Sequence, residues 1–74
     1  MSLVRKRSVK IAGHSTSVSL EDPFWQILSD IAAEQKRSLN LLIEEVDAGR
    51  GEDENLSSAL RVFVLHSLLA KCMG

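Results

Sequence analysis

The feature that most constrains the fold is a short alternating run, TSVSL at residues 16–20, which runs directly into sequence with a helical period. Apolar and hydroxyl side chains alternate along it, as they do in a strand with one buried face. A strand must pair its backbone N–H and C=O groups. The fold therefore has to supply a partner strand from somewhere.

A second short run, VKI at residues 9–11, also alternates. Ile11 and Val18 are separated by an odd number of positions, so one regular strand would place them on opposite faces. Gly13 is the expected place for the change of phase. Two arrangements remain open, namely a long bulged strand over residues 9–20 and a tight hairpin that turns at AGHS.

Two helices are predicted after the strand. Asp22 as N-cap and Pro23 at the first helical position mark the start of a helix over 22–35. Ser38 is predicted to cap a second helix over 38–48. In both segments apolar residues recur at i, i+3, i+4 and i+7, which is typical of a single buried face.

A third helix is predicted over residues 56–73, after an exposed acidic loop over 49–55. Either Asn55 or Ser57 is suited to cap it. Apolar residues surround most of its circumference, which indicates burial on several sides. A chain of this size offers few partners for such a helix, so the pattern favours a second subunit.

Size and cysteine content point the same way. A core built from 74 residues rarely provides more than about 3–5 kcal/mol. Cys72 is the single cysteine, so no disulfide forms within the chain, and a reducing cytoplasm is the expected setting. Cys72, His14 and His66 are too few for a metal cluster, and no cofactor is expected. The most apolar segment, LRVFVLHSLLA, is far shorter than the ~20 residues of a membrane span, so the chain is expected to be soluble.

Charge is divided unevenly along the chain. The net charge is −1, yet the first fourteen residues contain four basic residues and no acid, and the rest contains ten acids and five bases. Residues 1–8 are expected to form a basic arm with little packing potential. A basic arm on an acidic body favours contact with a polyanion, although a solvated tail is equally consistent with this feature.

The order of these elements resembles the ribbon-helix-helix family. The resemblance rests on STSVSLEDP, FWQILSDIAA and KRSLN, and over nearly the whole chain on a small bacterial subgroup with a KRSVxIAGHxTSxSLE start and a LSSALRVFVL end. It implies a mostly α fold with one N-terminal strand. In this family that strand pairs with its counterpart from a second chain into a two-stranded antiparallel ribbon. The third helix would be an extra C-terminal element.

The resemblance also implies DNA binding by a homodimer, with a role in transcription regulation. Thr16, Val18 and Leu20 would face the helices, and the outward residues Ser15, Ser17 and Ser19 would contact base edges in the major groove. Family members often carry longer polar side chains at these positions, so serine predicts weak sequence specificity. Phosphate contacts are expected from Arg5, Lys6, Arg7, Lys10, Arg37, Ser38, Leu39 and Asn40.

A second interpretation is a protein-interaction dimer, antitoxin-like or an adaptor, that uses the ribbon only for dimerisation. The third helix would then dock a partner protein, whereas in the DNA-binding interpretation it extends the dimer or builds a tetramer. An enzyme is not expected. Four serines surround His14, but no flanking motif accompanies them that would assemble a nucleophile, a base and an orienting group.

Overall fold

The computed structural model describes residues 4–73, which form two strands and three helices. They are β1 (Val4–Ile11), β2 (His14–Glu21), α1 (Asp22–Glu34), α2 (Leu39–Gly49) and α3 (Leu56–Met73). The predicted class is confirmed, because the fold is mostly helical with an N-terminal ribbon and an extra C-terminal helix. The helices begin and end within one residue of the predicted bounds. In the described range, none of the helices combines the length and the apolar character needed to cross a membrane.

The ribbon is formed within a single chain, which corrects two expectations. β1 pairs antiparallel with β2 in a register that runs from Val4↔Glu21 to Ile11↔His14. There are thus two N-terminal strands rather than one, and the partner strand comes from the same chain rather than from a second subunit. Residues 4–8 belong to β1 and are not an arm, whereas the arm's residues 1–3 lie outside the described part of the chain.

A two-residue turn decides between the hairpin and the bulged strand. Ala12 and Gly13 connect the strands with φ angles of 51° and 83°. Positive φ at both central positions is typical of the type I′ turn, whose twist matches that of a hairpin. Gly13 adopts this conformation without steric cost, whereas Ala12 does so at a cost. The reversal of the chain at Gly13 is the physical reason for the change of phase between Ile11 and Val18.

The core lies between the inner face of the ribbon and the three helices. Val9, Val18 and Leu20 are buried on the ribbon side. The helices contribute the other large buried side chains of the core, which are Leu28, Ile31, Leu42, Ile43, Leu60 and Val64. Complete burial of one such side chain contributes about 1.5–3 kcal/mol before the loss of conformational entropy is counted.

The predicted N-cap residues are observed at α2 and α3 but not at α1. The Ser38 hydroxyl accepts a hydrogen bond from the Leu41 N–H at 3.1 Å, and the Asn55 side chain accepts one from the Ser58 N–H at 3.0 Å. At α1 the N-cap is Glu21, without a side-chain capping bond, so the prediction of Asp22 was wrong. The Asp22 carboxylate is instead engaged by two arginines of β1.

Candidate nucleic-acid interface

Six of the eight side chains on the outer face of the ribbon are small or basic and polar, and the other two, Val4 and Glu21, form the pair at the end away from the turn. Residues opposite each other in an antiparallel pair project from the same face. The register therefore joins the three predicted serines to three residues of β1, in the pairs Lys6↔Ser19, Ser8↔Ser17 and Lys10↔Ser15. Ser15 and Ser17 are exposed, as are all three β1 residues, and Ser19 is half-buried. We call these six residues the outer ribbon face.

Two features of this face were not evident from the sequence. Ser8 is not among the predicted site residues, Lys6 is predicted to lie in the arm over residues 1–8, and Lys10 is predicted only as a phosphate contact. Once the turn is placed at Ala12 and Gly13, counting back along the register puts these three residues opposite the serines. The signal was therefore present, and the missing information was the choice of the hairpin over the bulged strand.

The dimensions of the ribbon suit the major groove of DNA. Each strand has eight residues, which corresponds to about 27 Å of length at the usual rise. A two-stranded ribbon of this kind fits the ~12 Å wide major groove with one face towards the base edges. Serine hydroxyls both donate and accept hydrogen bonds, and the two ammonium groups are suited to phosphate oxygens.

Arg5 and Arg7 lie on the opposite side of the ribbon, towards α1. Arg7 Nη2 donates a hydrogen bond to Asp22 Oδ1 at 2.9 Å, and Arg5 Nε lies 3.3 Å from the same oxygen. The Arg7 guanidinium also stacks over the Trp25 ring. The structure therefore separates these two arginines from Lys6 and Lys10, although all four are close in sequence.

The N-terminus of α2 lies beside the turn end of β1. The Asn40 amide donates to the Lys10 carbonyl at 2.7 Å and accepts from the Lys10 N–H at 3.0 Å. The Ser38 hydroxyl is occupied by the Leu41 N–H. The first-turn N–H groups of Leu39 and Asn40 belong to the orphan donors with which a helix begins. The start of α2 is thus joined through Asn40 to the edge of β1 at Lys10.

Arg37 is directed along α2 and away from this group. Its guanidinium forms an ion pair with Glu45. The hydrogen bond from Arg37, reinforced by its charge, lowers the pKa of Glu45 below its ordinary value. Contact between Arg37 and a phosphate would require this ion pair to open.

α3 holds the other end of the ribbon. The Ser57 hydroxyl accepts from the Ser19 N–H at 2.9 Å, and Arg61 Nη2 donates to the Ser19 carbonyl at 3.1 Å. Arg61 also binds Glu21 Oε1 through Nε and Nη2. A backbone hydrogen bond at Glu21, followed by the bond from Arg61, holds the pKa of the Glu21 carboxyl below its ordinary value. The extra helix is therefore part of the frame that positions the ribbon.

An apolar groove of about 380 Å³ lies on the outer side of α3, next to Phe24 of α1. Val62, Leu65, Leu68 and Leu69 are between 41% and 53% exposed on this helix. The burial predicted for an all-round apolar helix is thus only partly met within one chain. Leu41, which falls off the buried face of α2, is exposed as well.

The histidines and the cysteine, which could act in catalysis or bind a metal, do not form a common site in the described part of the chain. His14 is exposed at the turn end of β2, and His66 and Cys72 are exposed on α3. Among residues 4–73, no group of three or more histidine, cysteine, aspartate or glutamate side chains is placed to hold a metal ion.

Comparisons with known proteins identify the fold. No curated protein matches the chain significantly. The solved structure of an uncharacterized protein from Bordetella pertussis Tohama I is similar, with 37% sequence identity and a TM-score of 0.85. The match covers 97% of this chain and 61% of that one, so the chain spans less than two thirds of the length of that protein. The family model described as the ribbon-helix-helix domain matches residues 4–68, and the chain therefore belongs to the ribbon-helix-helix domain family.

Proposed function

We propose that this protein binds DNA as a homodimer and regulates transcription in the cytoplasm, with the outer ribbon face in the major groove. The observation that carries the proposal is the composition of this face. These six residues are four serines and two lysines. The pair that completes the outward side of the ribbon, Val4↔Glu21, lies at the end away from the turn, where Arg61 pairs with the Glu21 carboxylate. A face of short hydrogen-bonding groups and cations is complementary to base edges flanked by phosphates.

In this mechanism the serines contact bases and the surrounding positive groups position the duplex. Ser15, Ser17 and Ser19 supply hydroxyls that accept several base patterns, so binding is only weakly selective. Lys6 and Lys10, both on β1, neutralise phosphates along the groove. The α2 N-terminus, with Ser38, Leu39 and Asn40, supplies backbone N–H groups and a positive helix dipole to a further phosphate.

The arginines take part only after a rearrangement. The Arg5 side chain is 64% exposed and is attached to Asp22 by a single long contact, so it can turn towards a phosphate at little cost. Arg7 is held by Asp22 and Trp25 and Arg37 by Glu45, so each would have to exchange a partner. We therefore rank Arg5 above Arg7 and Arg37 as a phosphate contact.

Self-association is proposed to occur through the outer side of α3. Val62, Leu65 and Leu69 are spaced by three and then four residues, which is the repeat of a coiled-coil seam. A second copy of α3 carries the same seam and can therefore bury it. The same exposed surface favours the second candidate function, an adaptor dimer or antitoxin-like protein that docks a partner on α3. DNA binding is the property that separates the two.

Fluorescence anisotropy of a labelled duplex pool, titrated at two salt concentrations, tests the proposal. We expect salt-sensitive binding that the double substitution Ser15→Glu, Ser17→Glu abolishes. The matched control is Gly49→Glu, Gly51→Glu, which adds the same charge at two positions where a Cβ meets no atom within 4 Å. Loss of binding in both variants would point to net charge rather than to the ribbon. No binding by the folded wild-type protein at low salt would favour the adaptor.

A further inference from the structure

Asn40 makes the two hydrogen bonds with Lys10 that a neighbouring strand would make. Its carbonyl oxygen accepts from the Lys10 N–H at 3.0 Å and its amide nitrogen donates to the Lys10 carbonyl at 2.7 Å. The backbone groups of Lys10 therefore point away from β2, and the pair Lys10↔Ser15 is of the type without hydrogen bonds between the strands. One side chain thus binds both backbone polar groups of this edge residue.

A second contact from the same helix reaches the turn. Glu44, one helical turn after Asn40, accepts a hydrogen bond from the Ala12 N–H at 3.3 Å. α2 therefore holds the turn end of the hairpin at two points on one of its faces. The first turn of α2 and the pair Lys10↔Ser15 are fixed relative to each other.

We infer that Asn40 acts through its side chain as a positioning residue for DNA binding, rather than as a side-chain phosphate ligand as its place in the KRSLN turn implies. The inference rests on the proposed function. Oδ1 and one Nδ2–H of the Asn40 amide are bound to Lys10. These two bonds fix the plane of the amide, so the second Nδ2–H cannot turn towards a phosphate without breaking them. The Asn40 side chain joins α2 to β1 and so keeps the N–H groups at the start of α2 at a fixed distance from the outer ribbon face. Both surfaces can then contact one duplex without a loss of conformational entropy on binding.

The test is a double-mutant cycle on the backbone of Lys10. Lys10→Pro removes the N–H that Asn40 accepts, and an edge strand tolerates proline where the N–H points away from its partner strand. Lys10→Ala is the matched control, because it removes the same charge and keeps the N–H. Asn40→Ala is combined with each, and alanine is the better helix former, so a loss of affinity would not come from a weaker helix.

In the Lys10→Ala background we expect Asn40→Ala to weaken binding of the duplex pool about tenfold. In the Lys10→Pro background we expect a loss of about threefold, because only the bond to the carbonyl remains to be lost. A direct phosphate contact would give equal losses in the two backgrounds, and that result would overturn the inference.

Amide hydrogen exchange of the free protein supplies a readout that does not depend on DNA. The exchange rate of the amide at residue 10 should rise about tenfold in Asn40→Ala. An unchanged rate would show that Asn40 does not bind the backbone of Lys10. If the unmutated protein binds no DNA, the proposed function fails together with the role of Asn40 in it. Equal losses in the cycle with normal binding by the unmutated protein would remove only the role of Asn40.

Discussion

The guanidinium carbon of Arg7 lies 4.6 Å from the centroid of the Trp25 ring, between the ribbon and α1. The same guanidinium donates to Asp22, and 29% of the Arg7 side chain is exposed. A cation that stacks on an indole and binds a carboxylate is part of the packing as well as of the charge pattern. Arg7 therefore fills an inward position of β1 that would otherwise require an apolar residue.

Replacement of Arg7 by alanine should lower the free energy of unfolding by about 2 kcal/mol, the sum of a charged hydrogen bond and a cation–π contact. Arg5→Ala is the control, because Arg5 contacts the same carboxylate but is 64% exposed, and it should cost at most about 0.5 kcal/mol. Urea unfolding followed by tryptophan fluorescence measures both. Equal losses in the two variants would contradict the packing role of Arg7.

The turn offers a stabilising substitution. Ala12 has a φ of 51°, a conformation that asparagine adopts more readily than alanine, and Asn-Gly is the preferred pair for a type I′ turn. Ala12→Asn should raise the free energy of unfolding by roughly 0.5–1 kcal/mol. Gly13→Ala should lower it by about 1 kcal/mol, because Gly13 has a φ of 83°. A lower urea midpoint for Ala12→Asn together with a higher one for Gly13→Ala would exclude this turn.

The inward residues of β1 explain why the sequence predicted the helices better than the ribbon. The helices are predicted by capping residues and by a regular apolar period, both of which are local properties of the sequence. In β1, by contrast, the inward positions are Arg5, Arg7, Val9 and Ile11, so half of them are charged and the strand lacks the usual alternation. The partial burial of Arg7 depends on its contacts with Trp25 and Asp22 of α1, and no pattern within a strand describes such contacts.

The candidate site was predictable in part for a similar reason. The outward direction of Ser15, Ser17 and Ser19 follows from the pleat of one strand. The assignment of Lys6 and Lys10 to the same face depends on the turn, and the turn carries Ala-Gly rather than the stronger Asn-Gly signal. The hydrogen bonds between Asn40 and Lys10 join residues 30 positions apart, so the local sequence does not reveal them.

Stability should fall at acid pH because of Glu21 and Glu45. Both have a pKa below the ordinary value of 4.5 in the folded protein, Glu21 through a backbone hydrogen bond and Arg61, and Glu45 through Arg37. A lowered pKa in the folded state means that the unfolded chain takes up protons first. The stabilisation is therefore present above pH 4.5 and is lost as the pH falls through the folded-state values.

The measurement is the urea midpoint as a function of pH for the wild type, Glu21→Gln and Glu45→Gln. Each substitution removes one of the two carboxylates, so each variant should lose stability less steeply than the wild type below pH 4.5. Above this pH both variants should be less stable than the wild type, because the ion pair is missing. A wild-type slope retained in Glu21→Gln would show that the backbone hydrogen bond and the Arg61 contact do not hold the Glu21 carboxylate in solution.

The outer side of α3 gives the last prediction, which concerns self-association. Leu65 lies on the proposed seam and Leu41 lies on α2, and the two are equally exposed in the single chain, at 53% each. If a second copy of α3 covers the seam, a charge at residue 65 becomes buried without a partner, whereas a charge at residue 41 stays in water. Leu65→Glu should therefore weaken dimerisation at least about tenfold, and Leu41→Glu should leave it unchanged.

Sedimentation equilibrium over a range of protein concentrations measures both variants beside the wild type. A dimeric wild type, a monomeric Leu65→Glu and a dimeric Leu41→Glu would establish the seam. If all three are dimers, the interface lies elsewhere, and the open edge of β2 at Ser15 and Ser17 is the next surface to test. If all three are monomers, the apolar surface of α3 is free for a different protein, and neither the proposed homodimer nor an adaptor that works as a dimer is supported.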